Sequence, residues 1–178
     1  MESQAWVWRQ PGEPEGLKLE ACVLSDPGER EVCVENRVVA FNPVDWKLIE
    51  SGHPVWTPGH VPGVDGMGVV KSVGSSVTHL RPGMRVAYHA DLRRNGSFAR
   101  HTLLPARAVL AVPDALSDET AAAFPCPGRT GWLALAKLPD LREESVLVAG
   151  AGSNVGRFVV ALALRAGARV FASAGPAH

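Results

Sequence analysis

The sequence predicts an α+β protein, with short β-strands over residues 1–113 followed by one strand–helix–strand unit from Ser145 onward. Three observations carry this. Glycine (18) and proline (14) are frequent for 178 residues, which implies many turns and hence many short strands. Runs rich in β-branched residues recur between turn clusters up to about Pro113. After Ser145 the pattern becomes an apolar run, a glycine loop, a longer apolar run and a further apolar run.

LKLEACVL and REVCVENRVVAF are apolar-rich and are separated by the turn cluster SDPGE. VDGMGVVKSVG is dense in glycine and β-branched residues, as suits a strand that bends sharply. RPGMRVAYH is a Pro-Gly turn leading into a short strand. GSFARHTLL and AVLAVP complete the set, and strands at this spacing suggest a barrel or a sandwich. Near Pro113 the grammar changes. Ser117 can N-cap a helix that carries Asp118 and Glu119 in its first turn, where the helix dipole favours negative charge. Pro125 and Pro127 are expected to break that helix, and a second helix is expected from about Arg129 to Leu138. SVLVAG reads as a strand buried on both faces of a parallel sheet. RFVVALALRAG reads as a helix with Gly167 at its C-terminus, and ARVFAS as a second buried strand.

Composition excludes several classes. Lys+Arg and Asp+Glu are 18 each, so no basic excess points to nucleic acid. A hydrophobic share of 46% is too high for disorder. No run of about 18 apolar residues is present, so no membrane span is expected. MESQAWVWRQ does not read as a signal peptide. Cys22, Cys33 and Cys126 are odd in number and form no Cys-x-x-Cys pair, which favours a reducing, cytoplasmic compartment over a disulfide framework.

The chemistry concentrates in the loop AGAGSNVG. Gly150 and Gly152 directly follow a predicted strand, and Gly156 opens a predicted helix. Glycines there let the backbone approach a pyrophosphate, while the helix N-terminus offers free N–H groups and positive potential. The spacing, Gly-x-Gly-x-x-Val-Gly through Val155, is one residue longer than the strict dinucleotide fingerprint, and an ordinary tight β-to-α turn would look similar. A carboxylate about 20 residues further on would hold the ribose 2′-OH of NAD. That point falls near Ser173, and the last acidic residue is Glu144. NADPH is therefore favoured, with the Ser173 hydroxyl as a donor to the 2′-phosphate; the alternative is that Ser173 merely fits a tight strand end.

The runs AFNPVDWKLIESG, PGVDGMGVVKSVGSSVTHLRPGMRVAYH, GSFARHTLLPARAVLAVPDALSDETAAAFPCPGRTGWLAL and VLVAGAGSNVGRFVVALALRAGARVFA resemble the medium-chain dehydrogenase/reductase superfamily, over nearly the whole chain and in its motif order. The resemblance implies a GroES-like β-barrel substrate domain over 1–125. It implies a linker helix and the first βαβ unit of a Rossmann-type cofactor domain over 126–178, with family chains continuing further. Carried over by motif, the three catalytic zinc ligands fall on Asn42, Val64 and Cys126, and Asn42 and Val64 cannot hold zinc. ADLRRNGSFA lacks the four cysteines of a structural zinc loop, and Cys126 then reads as a small buried residue. His53, His60, His89 and His101 match no ligand spacing, so no metal is expected.

What remains resembles the zinc-independent quinone oxidoreductase branch. There the segment carried here by Asn42 and Asp45 lines the cleft beside the nicotinamide, and Thr130 matches a cofactor-contacting threonine. Ser153 and Asn154 stand where the branch commonly has two glycines. Asn42 and Lys47 are candidate donors to a developing enolate. Equally, Asn42 and Asp45 read as a capped turn at Asn-Pro, and Lys47 as a solvated lysine. The resemblance implies a reductase of quinones or enones with NADPH as cofactor, open to homodimer formation. The alternatives are a zinc alcohol dehydrogenase relative, which needs two ligands the sequence lacks, and a non-catalytic fragment. The 178-residue chain is expected to fold in its first part, to bind NADPH weakly and to associate through residues 146–173.

Overall fold

The computed structural model describes residues 1–175, which fall into two compact units, the first spanning Met1–Pro125 and the second beginning at Cys126. In the first unit, β1 (Glu2–Val7) and β2 (Lys18–Val23) form an antiparallel hairpin. Five further strands make one antiparallel sheet: β3 (Glu31–Ala40), β4 (Asp65–Val73), β5 (Arg85–His89), β6 (His101–Pro105) and β7 (Val109–Ala111), in spatial order β6-β3-β4-β5-β7. The hairpin is stitched to the segment entering β6, because Trp6 N–H donates to the Phe98 carbonyl and Arg100 N–H to the Gln4 carbonyl. β1 lies within the stretch expected to hold short strands, though no particular run was assigned there, and its alternating burial supplies Ala5 and Val7 to the core.

β4 carries the glycines expected of a bending strand. The bend shows in its partner: β3 shifts register between Cys33 and Val34 and again between Asn36 and Val38. An added Cβ at Gly68 would collide with the Glu35 backbone, so only glycine lets the two strands approach there. Val32, Val34, Val70, Val86, Tyr88 and Leu104 form the main core, and Trp8, Ile49, Trp56 and Phe98 form a second cluster. Ala121 and Ala122 pack with Met67 and Ala87 in a third.

Between β3 and β4 lies a helix that the sequence reading treated only as a turn. α1 (Pro43–Ser51) starts at Asn42, with proline in its first position, where a missing N–H costs nothing. α2 (Asp118–Ala123) is capped as expected: the Ser117 side chain accepts the Thr120 N–H at 3.2 Å.

In the second unit the helix expected over Arg129–Leu138 starts earlier. α3 (Pro125–Leu135) includes both prolines, because in the first turn of a helix the absent N–H groups have no intrahelical acceptor to lose. β8 (Ser145–Ala149) and β9 (Arg169–Ser173) pair in parallel, and α4 (Asn154–Arg165) connects them. Gly167, at φ +86°, turns the chain out of α4, as expected of a helix-terminating glycine. β8 has the pattern of a strand buried on both faces of a full parallel sheet, and in this chain one sheet face was expected to lie open. Of its residues only Val148 is buried, while Leu147 and its register partner Phe171 are 73% and 51% exposed. One helix covers one face of a two-stranded sheet, and the other face meets water.

Candidate functional site

The first cluster of polar groups is built where α1 begins, β4 begins and β5 ends. Asn42 precedes Pro43 in extended backbone, which the proline ring enforces. Three residues on, in the first turn of α1, Asp45 turns its carboxylate back: Oδ2 accepts the Asn42 N–H at 2.7 Å, and Oδ1 accepts the Val64 N–H at 3.0 Å. Asp45 is 1% exposed, and burial pushes its carboxyl up to about 6, against the two backbone N–H bonds that pull it down. The Asn42 side-chain amide donates to Asp65 Oδ2 at 3.1 Å, and the other Asp65 oxygen lies 2.7 Å from His89 Nδ1. Asp65 and His89 face each other as register partners on β4 and β5.

Three segments distant in sequence thus meet in one hydrogen-bonded chain, Asp45–Asn42–Asp65–His89. Asn42 and Asp45 come together as the Asn-x-x-Asp spacing suggests. Lys47 does not join them: it is exposed on α1, with Nζ 5.6 Å from the Trp46 ring centre. Sequence reasoning missed Asp65 as a partner and set His89 aside with the other histidines. The readable signal was that Asp65 opens β4 and His89 closes β5, so that an antiparallel pairing brings them level. The remaining histidines scatter. His60 stacks on Trp56 at 4.2 Å between ring centres, and burial lowers its imidazole to about 4. His53 lies against the same tryptophan, and His101 is buried with Nδ1 on Ser3 Oγ.

The second cluster is the loop between β8 and α4. Gly150 sits at φ +72°, a conformation open to glycine and costly for residues with a Cβ. Ser153 caps α4, with Oγ accepting the Gly156 N–H at 3.0 Å and donating to the Gly150 carbonyl at 2.8 Å. An added Cβ at Gly156 would collide with the Gly150 carbonyl oxygen, so the loop folds onto the helix only because Gly156 is bare. Ala151 N–H donates to the Ser173 carbonyl, which ties the loop to the exposed end of β9. Gly150, Gly152, Ser153 and Ser173 are therefore brought together. Asn154 and half-buried Val155 begin the helix. Thr130 stands apart on α3, where its hydroxyl donates to the Cys126 carbonyl one turn back. Arg157 was not singled out by sequence: it donates to the Gly152 carbonyl at 3.2 Å and so adds a cation beside the loop. Such a loop, with a cradle that a Cβ would fill and a helix N-terminus behind it, fits a pyrophosphate. Among the described residues no helix is long and apolar enough to cross a membrane.

Residues 28–114 match the alcohol dehydrogenase GroES-like domain family. A trans-enoyl reductase of Aspergillus flavipes is 35% identical over 193 aligned positions, covering 99% of this chain and 55% of that protein. An alcohol dehydrogenase superfamily protein of Novosphingobium aromaticivorans superposes with a TM-score of 0.90 at 27% identity, over 98% of this chain and 54% of that one. The Escherichia coli quinone oxidoreductase complexed with NADPH superposes with a TM-score of 0.81 at 27% identity, over 98% of this chain and 53% of that one. The chain spans about half the length of the curated relative and of these solved structures.

Proposed function

We propose, from the premise that this chain belongs to the medium-chain dehydrogenase/reductase superfamily, that it is the front part of a zinc-free reductase using NADPH on α,β-unsaturated carbonyls or quinones. The observation that carries the reading is the occupancy of two of the three positions where zinc-dependent members hold their metal. Asn42 turns its amide to Asp65, and Val64 is a buried hydrocarbon whose backbone N–H goes to Asp45 and whose carbonyl accepts the Ala90 N–H. Without a metal to acidify an alcohol, oxidation of a simple alcohol lacks its activating step, whereas a conjugated carbonyl accepts hydride directly.

NADPH, when bound, supplies the hydride. The N–H groups at the start of α4 and the Arg157 guanidinium favour its pyrophosphate. The exposed Ser173 at the end of β9, with no carboxylate after Glu144, leaves room for a 2′-phosphate. As charge develops on the substrate oxygen, the Asn42 amide, one N–H of which is held by Asp65, can donate its other N–H to it. Lys47 can contribute positive potential from the exposed face of α1. The trans-enoyl reductase relative supports an enoyl acceptor, and the NADPH-bound quinone oxidoreductase supports the cofactor.

The test uses the full-length protein purified without chelator. Turnover of a trans-2-enoyl thioester and of a quinone is compared with NADPH and NADH, and the metal content is measured. Faster turnover with NADPH and no stoichiometric zinc are expected. Equal turnover with NADH, or one tightly held zinc per chain, would overturn the corresponding half of the reading.

A further inference from the structure

Asp65 engages both Asn42 and His89 with its carboxylate. Its side chain is fully buried; Oδ2 accepts the Asn42 amide, and Oδ1 meets His89 Nδ1 at 2.7 Å. His89 itself is only partly enclosed, with 23% of its side chain exposed. A carboxylate that holds one ring nitrogen of a histidine fixes the tautomer and the ring plane, and leaves the other nitrogen to take up and release a proton. No other described histidine has this arrangement. His101 Nδ1 is on a serine and its Nε2 is 3.9 Å from Glu35, His79 lies 3.4 Å from the Ala106 carbonyl, and His53 and His60 flank Trp56. The charged groups that face His89 are Asp65 from β4 and, through space, Asp45 from α1.

We propose that His89 carries the proton consumed by the reduction, with Asp65 as its positioning residue. This rests on the reductase reading above. Hydride addition to the β-carbon moves the π pair of the double bond onto the carbonyl and leaves an enolate. The His89 imidazolium gives its Nε2 proton to the α-carbon, the carbonyl re-forms, and the neutral imidazole regains a proton from water. With a quinone the proton goes to oxygen instead. Asp65 couples the two halves of the step, because the same carboxylate orients the Asn42 donor on one side and the His89 proton carrier on the other.

The experiment compares wild type, His89→Ala and Asp65→Asn in the full-length enzyme. His89→Ala is expected to lower kcat by about a hundredfold, in line with the loss of a positioned general acid. NADPH binding, followed by fluorescence titration, should be unchanged. Added imidazole should restore part of the lost kcat, which a merely structural role would not allow. In ¹⁵N spectra His89 should hold its proton at Nδ1 when neutral, and Asp65→Asn should abolish that preference. An active enzyme indifferent to His89→Ala, or a lost activity that imidazole fails to restore, overturns the role alone. A wild-type enzyme inert toward both acceptors overturns the reductase reading and this role with it, while the ¹⁵N spectrum still reports whether the Asp65–His89 pair exists.

Discussion

Asp45 and His60 are pushed in opposite electrostatic directions by the same cause, burial. Asp45 rises from 3.8 to about 6 because its charged form loses water; His60 falls from 6.5 to about 4 for the same reason. The folded state therefore binds more protons at Asp45 than the unfolded chain does, and fewer at His60. Asp45 contributes stability that is complete below about pH 4 and is lost as pH rises through 6. His60 contributes stability that is complete above pH 6.5 and is lost as pH falls through about 4. Asp118, held below the usual carboxylate range by its hydrogen bond to Arg85, adds to the loss in acid. Melting temperatures of single variants across this window separate the two groups. His60→Phe keeps the stack on Trp56 and should flatten the acid limb, whereas Asp45→Asn should steepen it. Identical profiles for both variants would remove burial as the cause. Asn42 and Asp45 were readable as a pair because the reach is three residues. Their onward partners, Asp65 and His89, were not, since 23 and 24 residues separate the members of each new contact.

At the scale of elements, the β8–α4 connection is held by two independent devices. Ser153 satisfies the Gly156 N–H and the Gly150 carbonyl, and the bare Gly156 lets the loop close. Ser153→Ala should cost about 1 kcal/mol of stability, the usual price of losing an N-cap. Gly156→Ala should cost about 1–3 kcal/mol through overpacking against the Gly150 carbonyl. It should also lower NADPH affinity more than Ser153→Ala does, because the loop itself must shift. Denaturant unfolding and a fluorescence titration check both, and equal NADPH affinity in the two variants would show that the loop geometry does not depend on Gly156. The early start of α3 carries a related lesson. Pro125 and Pro127 read as breakers only if a helix is already running, and Phe124 ends α2 one residue before them. α1 escaped notice because it is nine residues long and opens on Asn-Pro, which is a turn signal in its own right.

At the scale of the molecule, the apolar cores lie in the first unit. The members of the three core clusters all precede Phe124, and α2 supplies the last of them, Ala121 and Ala122. A fragment of residues 1–125 is therefore expected to unfold cooperatively in denaturant on its own, and a fragment ending before α2 to be less stable because Met67 and Ala87 lose their cover. The second unit has a two-stranded sheet with Leu147 and Phe171 paired on its open face. The 178-residue chain should consequently associate with rising concentration, and Leu147→Thr with Phe171→Thr should reduce this in sedimentation velocity relative to the unsubstituted chain. A broad, non-cooperative transition for residues 1–125 would mean that this unit does not fold alone.

The sequence by itself determined much of what depends on neighbours along the chain. That includes the short strands between turn clusters, the Ser117 cap, the glycines of the β8–α4 loop, the order of elements, and the absence of a carboxylate after Glu144. The family likeness followed from the same local runs. Tertiary structure alone decided which polar groups meet. Asp65 reaches His89 because β4 and β5 pair in one register, and a slip of one residue would put the two side chains on opposite faces of the sheet. It also decided which side chains of β8 are covered, Val148 and not Leu147, since burial of a strand residue is set by what packs against it and not by its own hydrophobicity.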